Sequence, residues 1–144
     1  MIDINPQKQR IIGLDVGDKA IGVAVSDVSG TVASPLTVIE RKKYAAELKK
    51  IIADKNPSAI LLGLPISMDG SKGPRYQSVK AFGRTLEKEF ALPILYHDER
   101  LSSKVVENMM LKADFSRQRR NELSDKLAAA YILQGYLDMP KPQE

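Results

Sequence analysis

The chain contains no cysteine, no tryptophan and a single histidine, His97, and its aromatic content is 6%. Without cysteine there is neither a disulfide framework nor a thiolate metal site. A lone histidine argues against a histidine-based zinc centre or a Ser-His-Asp triad completed by a second histidine, and His97 reads as structural. Few aromatics mean few platforms for stacking bases, so a nucleic acid would be held through phosphate and shape contacts. No apolar run approaches the ~18–20 residues that span a bilayer, and the N-terminus shows no signal-peptide pattern. The expected compartment is the cytoplasm, with no membrane partner.

What is present is ordinary for a globular domain: 144 residues, 43% hydrophobic and 28% charged, enough for one substantial core. Twenty-two Lys and Arg against 18 Asp and Glu leave a net charge of +4, a mild lean towards a polyanionic partner. Residues 1–10 read as a loose polar arm, 11–138 as a single domain and 139–144 as a tail. Strand-like runs are expected at Ile11–Asp15, Gly22–Asp27 and Ala33–Ile39, with short turns between them. Helical periodicity follows over Tyr44–Lys55, closed by Asn56-Pro57. Ala59–Leu64 is a near-continuous apolar run of the buried parallel type. A loop to Gly73 leads into a helix from Pro74 to Phe90, and Leu92–Tyr96 reads as a further strand. Ser102 or Ser103 is expected to cap a helix carrying Val106, Met109 and Met110, and a last helix runs over Arg117–Leu137. The order implies an α/β mixed five-stranded sheet, three strands antiparallel and two added in parallel through crossovers, with helices on both faces. Ligands in such sheets gather at the carboxyl ends of the strands.

Three acidic positions stand at such ends or facing them. Asp15 closes the first strand inside Asp15-Val-Gly-Asp-Lys-Ala-Ile-Gly22, where Gly17 and Gly22 allow a tight turn and close backbone approach. Asp98-Glu99 follows the last strand; adjacent side chains there face opposite ways, so one of the two can point at Asp15. Asp125 shares a helical stripe with Ala128, Ala129, Ile132 and Tyr136, a face suited to packing on a sheet. Partly buried like charges are unfavourable unless cations sit among them. Mg²⁺ suits such a site because it takes a few carboxylates and keeps water and phosphate oxygens as further ligands. A pair of such ions can activate water and stabilise the leaving oxygen in phosphodiester cleavage. The plainer alternatives are a turn aspartate at 15 and, at 125, an ion pair with Arg119, Arg120 or Lys126. The loop Leu64–Arg75, rich in Gly and Ser, ends at a helix N-terminus and with Lys72 and Arg75 makes a plausible phosphate seat, although it is not a Walker A loop. Arg117, Arg119 and Arg120 form a second basic group, either a backbone-contacting patch or a solvated helix start.

Four segments in order, DVGDKAIGVAVSD from Asp15, GLPISMDGSKGPR from Gly63, DERLSS from Asp98 and SDKLAAAYILQGYL from Ser124, resemble the YqgF family of RNase H-like nucleases, also described as Holliday junction resolvases. The resemblance covers Ile11 to about Asp138. It implies an RNase H-like fold and a Mg²⁺- or Mn²⁺-dependent endonuclease with a two-metal site. It implies Asp15, Glu99 and Asp125 as catalytic and metal-binding residues, which selects Glu99 over Asp98 and leaves Asp98 to an outer-shell role. It also implies processing of the 5′ end of pre-16S rRNA in ribosome maturation. Junction DNA is the alternative substrate, and a non-catalytic nucleic-acid-binding module the alternative function. Lys72, Arg75, Arg100, Arg117, Arg119 and Arg120 are the expected contacts to structured RNA or junction DNA, in a monomer or homodimer. The chain departs from the family at Asp18 and Ala20, where Thr and a basic residue are more usual, and at Ser102-Ser103 and Ser124.

Overall fold

The computed structural model describes residues 10–66, 69–99 and 117–139, with side chains in the last stretch from Lys126 onward. The expected N-terminal arm up to residue 9, the helix of Val106, Met109 and Met110, and the tail beyond Met139 lie outside the described residues.

Three strands, β1 (Ile11–Val16), β2 (Ala20–Ser26) and β3 (Ala33–Glu40), form an antiparallel meander. A 3-10 turn, Arg41–Lys43, leads into α1 (Tyr44–Lys55), and β4 (Ala59–Leu64) then pairs parallel to β1. Helix α2 (Pro74–Phe90) carries the chain to β5 (Ile94–Asp98), which lies parallel to β4, and the last helix, α3, spans Arg117–Leu137. The sheet order is β3-β2-β1-β4-β5.

Turn chemistry explains the meander. Between β2 and β3 the Asp27 carboxylate accepts from Ser29 Oγ at 2.7 Å and from the Thr31 and Val32 amides at 2.8 and 3.1 Å. These donors favour the charged form and hold the Asp27 carboxyl down at about 2. Helix α1 stops at Asn56, whose left-handed φ of 47° closes the helix as its backbone N–H donates to the Ile52 carbonyl.

Alternation along the strands divides the interior in two. Ile12, Leu14, Ile21, Val23, Ile60 and Leu62 face α1 and α2 and pack with Leu48, Val79, Phe82 and Leu86. Ala24 and Leu61 face α3 and pack with Ala129, Ile132 and Leu133. Each fully buried Leu or Ile contributes about 1.5–3 kcal/mol of transfer free energy, so the two cores drive the folding. Small residues set the depth of α3. A Cβ at Gly13 would stand 2.9 Å from Leu133 Cβ and 3.5 Å from the Ala129 carbonyl, so the helix backbone rides directly on β1.

The first three strands differ from expectation by one or two residues at their ends, and the last is displaced as a whole. The last strand runs Ile94–Asp98 rather than Leu92–Tyr96. Pro93 has no N–H to give the ladder and serves as an acceptor for the Ile60 amide at 3.0 Å, so regular pairing begins one residue later. Asp98 therefore pairs with Leu64 inside the sheet, and the Glu99 amide donates to the Leu64 carbonyl at 3.1 Å.

Replacing Gly13 by alanine should cost about 1–3 kcal/mol, the usual penalty of overpacking against an anchored neighbour. Urea unfolding of the variant and the wild type measures it directly.

Candidate active site

On the α3 face, the carboxyl end of β1 presents Asp15. Its cross-strand neighbour on β2 is Gly22, and one step beyond the registered pair Leu14–Leu62 its neighbour on β4 is Gly63. Glycine thus flanks the acid on both sides. On β5, Leu95 faces α3 while Ile94 and Tyr96 face α2. The same alternation sends His97 and Glu99 to the α3 side and Asp98 to the α2 side.

Glu99 reaches Asp15 across Gly63. A Cβ at Gly63 would stand 2.7 Å from Glu99 Oε2 and 2.8 Å from Ile132 Cδ1, so the carboxylate occupies the space that the missing side chain leaves. The two carboxyl groups are in hydrogen-bonding contact, and Glu99 is pushed up to about 7, first by burial and then by the negative charge of Asp15. Arg75 opposes this rise, while Asp98 adds to it through space. His97 lies beneath α3, its Nε2 3.1 Å from where a Cβ on Gly135 would be, with its ring edge-on to Tyr136 at 6.2 Å. Burial lowers its pKa, as expected of a packed histidine.

Asp125 belongs to the described backbone of α3, but its side chain lies outside the described residues. Near its C-terminal end the helix is tied to the start of β3, where Gln134 accepts from the Ala33 amide and donates to the Thr31 carbonyl, both at 2.9 Å. Ala129 and Leu133 lie over Gly13. The helix therefore runs antiparallel to β1. Four residues back from Ala129 is about 6 Å along the helix, and two residues on from Gly13 is roughly 6.6 Å along the strand. Position 125 thus comes level with Asp15, on the stripe of Ala128, Ala129 and Ile132.

Of the expected basic contacts, Arg75 stands in the first turn of α2, close enough to act on Glu99. Lys72 folds over the Tyr76 ring, its Nζ 5.3 Å from the centroid. The α2 N-cap, Gly73, offers no side-chain cap, which leaves first-turn amides available to an anion. Arg100 and the side chains of Arg117, Arg119 and Arg120 lie outside the described residues. Two positions beside the acids escape a reading of the sequence alone. Gly63 has its role only because Glu99 crosses it, and Arg41, at the end of β3, lines a pocket with Arg75. The Arg41-Lys42-Lys43 run at a strand end was the available signal for the second.

Residues 9–139 match the RuvX family, described as Holliday junction resolvase. The chain belongs to that family. Among RuvX-like relatives, a protein of Ruegeria sp. (strain TM1040) named "Putative pre-16S rRNA nuclease" is 54% identical over 136 residues, covering 92% of this chain and 87% of its own. A protein of the same name from Rhodobacter capsulatus is 52% identical, with 92% and 86% covered. Among solved structures, Thermus thermophilus RuvC in complex with a Holliday junction substrate superposes with a TM-score of 0.53 at 14% identity, over 90% of this chain and 96% of that one. The fowlpox virus Holliday junction resolvase gives 0.54 at 13% identity, over 90% and 98%. At these identities the structures establish the fold, which is RNase H-like. RuvX membership makes the protein a nuclease, a hydrolase of phosphodiester bonds. No helix among the described residues is long and apolar enough to cross a membrane.

The pKa of Glu99 has a consequence for stability. Its folded value, about 7, lies above the ordinary 4.5, so the folded state binds the extra proton more tightly. The stabilisation is fully present below about pH 4.5 and is lost as pH rises through 7. Metal-free Glu99→Gln should therefore match the wild type in melting temperature near pH 4.5 and exceed it at pH 8. Parallel melting curves across that range would refute the assignment.

Proposed function

We propose that the protein is a Mg²⁺- or Mn²⁺-dependent endonuclease of the cytoplasm that cuts structured RNA, and that its task is trimming the 5′ end of pre-16S rRNA. The observation that carries this reading is the Asp15–Glu99 contact across Gly63, at the sheet edge where α3 also brings position 125. Nothing in folding calls for two carboxyl groups in contact in a partly buried place, and burial, followed by repulsion between them, raises Glu99. A divalent cation relieves that repulsion, and the donor set, hard carboxylate oxygens without sulfur or a free imidazole, fits Mg²⁺ or Mn²⁺. Asp15, Glu99 and Asp125 would hold it. When bound, a pair of such ions supplies an activated water and charge stabilisation for the leaving oxygen.

The chain's own residues provide the rest. Asp15 is fixed by the β1 ladder, and Glu99 by the hydrogen bond its amide donates to the Leu64 carbonyl and by the walls around Gly63, so neither acid has to be ordered when substrate arrives. Arg75 tempers the negative field that would otherwise repel a phosphate strand. Lys72 and the first-turn amides of α2 extend that favourable surface along the backbone. The relatives named for pre-16S rRNA support RNA as substrate. Asp98, on the far face of β5, acts on Glu99 through its charge.

Asp15→Asn keeps the shape of the site and removes one charge, and is expected to lower cleavage of a pre-16S rRNA fragment by orders of magnitude while the protein stays folded. Undiminished cleavage by that variant would dismiss the carboxylate mechanism. Cleavage of a four-way DNA junction in place of the RNA would transfer the substrate to DNA. Mn²⁺ should raise the melting temperature of the wild type and have little effect on Asp15→Asn, since a ligand that binds the folded state stabilises it by mass action.

A further inference from the structure

On the opposite side of the same sheet edge, a pocket of about 190 Å³ opens between the β1–β2 turn and the start of α2. It is lined by two buried valines, Val16 and Val79, and by Asp18, Arg41, Arg75 and Ser78. We propose that this pocket seats a backbone phosphate of the substrate strand, next to the bond that is cut, with Arg41 as its pre-set cationic ligand. The inference rests on the nuclease reading only in taking the anion to be a nucleic-acid phosphodiester.

Arg41 differs from an ordinary surface cation. Its Nη1 donates to the Gly17 carbonyl at 3.0 Å, and its guanidinium carbon lies 4.6 Å from the Phe82 ring centroid. Its backbone amide donates to the Lys19 carbonyl at 2.9 Å. Side chain and backbone are thus both held before any ligand arrives, so binding loses little rotamer freedom. One of five N–H donors is used on Gly17, and the planar fork that remains matches two phosphate oxygens. Ser78 adds a hydroxyl, and the two valines give the pocket an apolar wall. Arg75 connects this place to the acids, because it lines the pocket and also acts on Glu99. A strand with one phosphate at Asp15 and Glu99 therefore finds its next fixed cation here. Asp18 is the opposing charge: an exposed carboxylate in the pocket wall that weakens the hold on an anion.

A purely structural Arg41 would pin the β1–β2 turn and leave the electrostatics of binding unchanged, and a salt titration separates the two roles. The probe is a fluorescein-labelled RNA hairpin with a single-stranded 5′ extension, read by anisotropy in EDTA so that no cleavage occurs. Arg41→Gln should flatten the plot of log affinity against log salt by about 0.7–0.9, the worth of one phosphate contact. Asp18→Asn should bind more tightly than the wild type at low salt, the gain vanishing near 1 M, where the Debye length is about 3 Å. In hairpins carrying one neutral methylphosphonate linkage at a time, one position should weaken the wild type and leave Arg41→Gln unaffected. An unchanged slope in a folded Arg41→Gln overturns the proposal. If that variant does not fold, unchanged affinity of Asp18→Asn at low salt overturns it instead. Absence of wild-type cleavage with Mg²⁺ or Mn²⁺ while the slopes behave as expected would sink the reading as a metal-dependent RNA endonuclease and leave the phosphate seat standing. Intact cleavage with unchanged slopes does the reverse.

Discussion

The approach of α3 to the sheet, backbone against backbone at Gly13 and side chain against bare Cα at Gly63, is the constraint on which the site depends. Leu133 and Ala129 sit where a side chain at 13 would be, and Ile132 and Glu99 share the space above 63. Any side chain at position 63 would drive Glu99 away from Asp15. The close fit draws its free energy from Ala24, Leu61, Ala129, Ile132 and Leu133, a small dry cluster beneath the helix. Burial of ordinary hydrocarbon thus holds two carboxyl groups in a contact that they would not adopt in water.

The strand alternation then sorts charge by face. At the end of β1, Asp15 faces α3 and Val16 faces α2, so Asp15 and Glu99 meet on one side of the edge while Arg41 and Arg75 stand on the other, with Asp18 beside them. A sheet edge only one strand thick separates the two carboxyl groups from the two guanidinium groups. Arg75 couples the two through its effect on Glu99. A phosphate strand laid along this edge meets both signs within a short path, as hydrolysis of a polyanion at a carboxylate centre requires. The β1–β2 turn belongs to both sites: it leaves Asp15 on one side and is pinned through the Gly17 carbonyl by Arg41 on the other.

Much of this was legible in the residues. The helices at Tyr44–Lys55, Pro74–Phe90 and Arg117–Leu137 and the strand Ala59–Leu64 follow from hydrophobic period and from Asn56-Pro57 and Pro74, because those signals are local. Strand direction followed from connection lengths, since a crossover through a helix makes its strands parallel, whereas the order β3-β2-β1-β4-β5 did not. The last strand was misplaced because apolar Leu92 resembles a strand residue, whereas Pro93 withholds a ladder donor. That Asp15 and one of Asp98 and Glu99 converge was readable from their places at strand ends, although residue types alone left the choice between the two open.

By itself, then, the chain's sequence determined the elements, their order, the membership in the RuvX family and the acids available at one edge. All of these are carried by local pattern or by motif spacing. The family resemblance pointed to Glu99 over Asp98, and tertiary structure supplied the physical reason that Glu99 meets Asp15: the phase of β5 depends on where pairing with β4 begins. Tertiary structure also decided that Gly63 is the gap through which they meet, and that Arg41, 34 positions from Arg75 in the chain, shares a pocket with it. Such facts concern distances between residues far apart along the backbone, and packing of the helices on the sheet sets those distances.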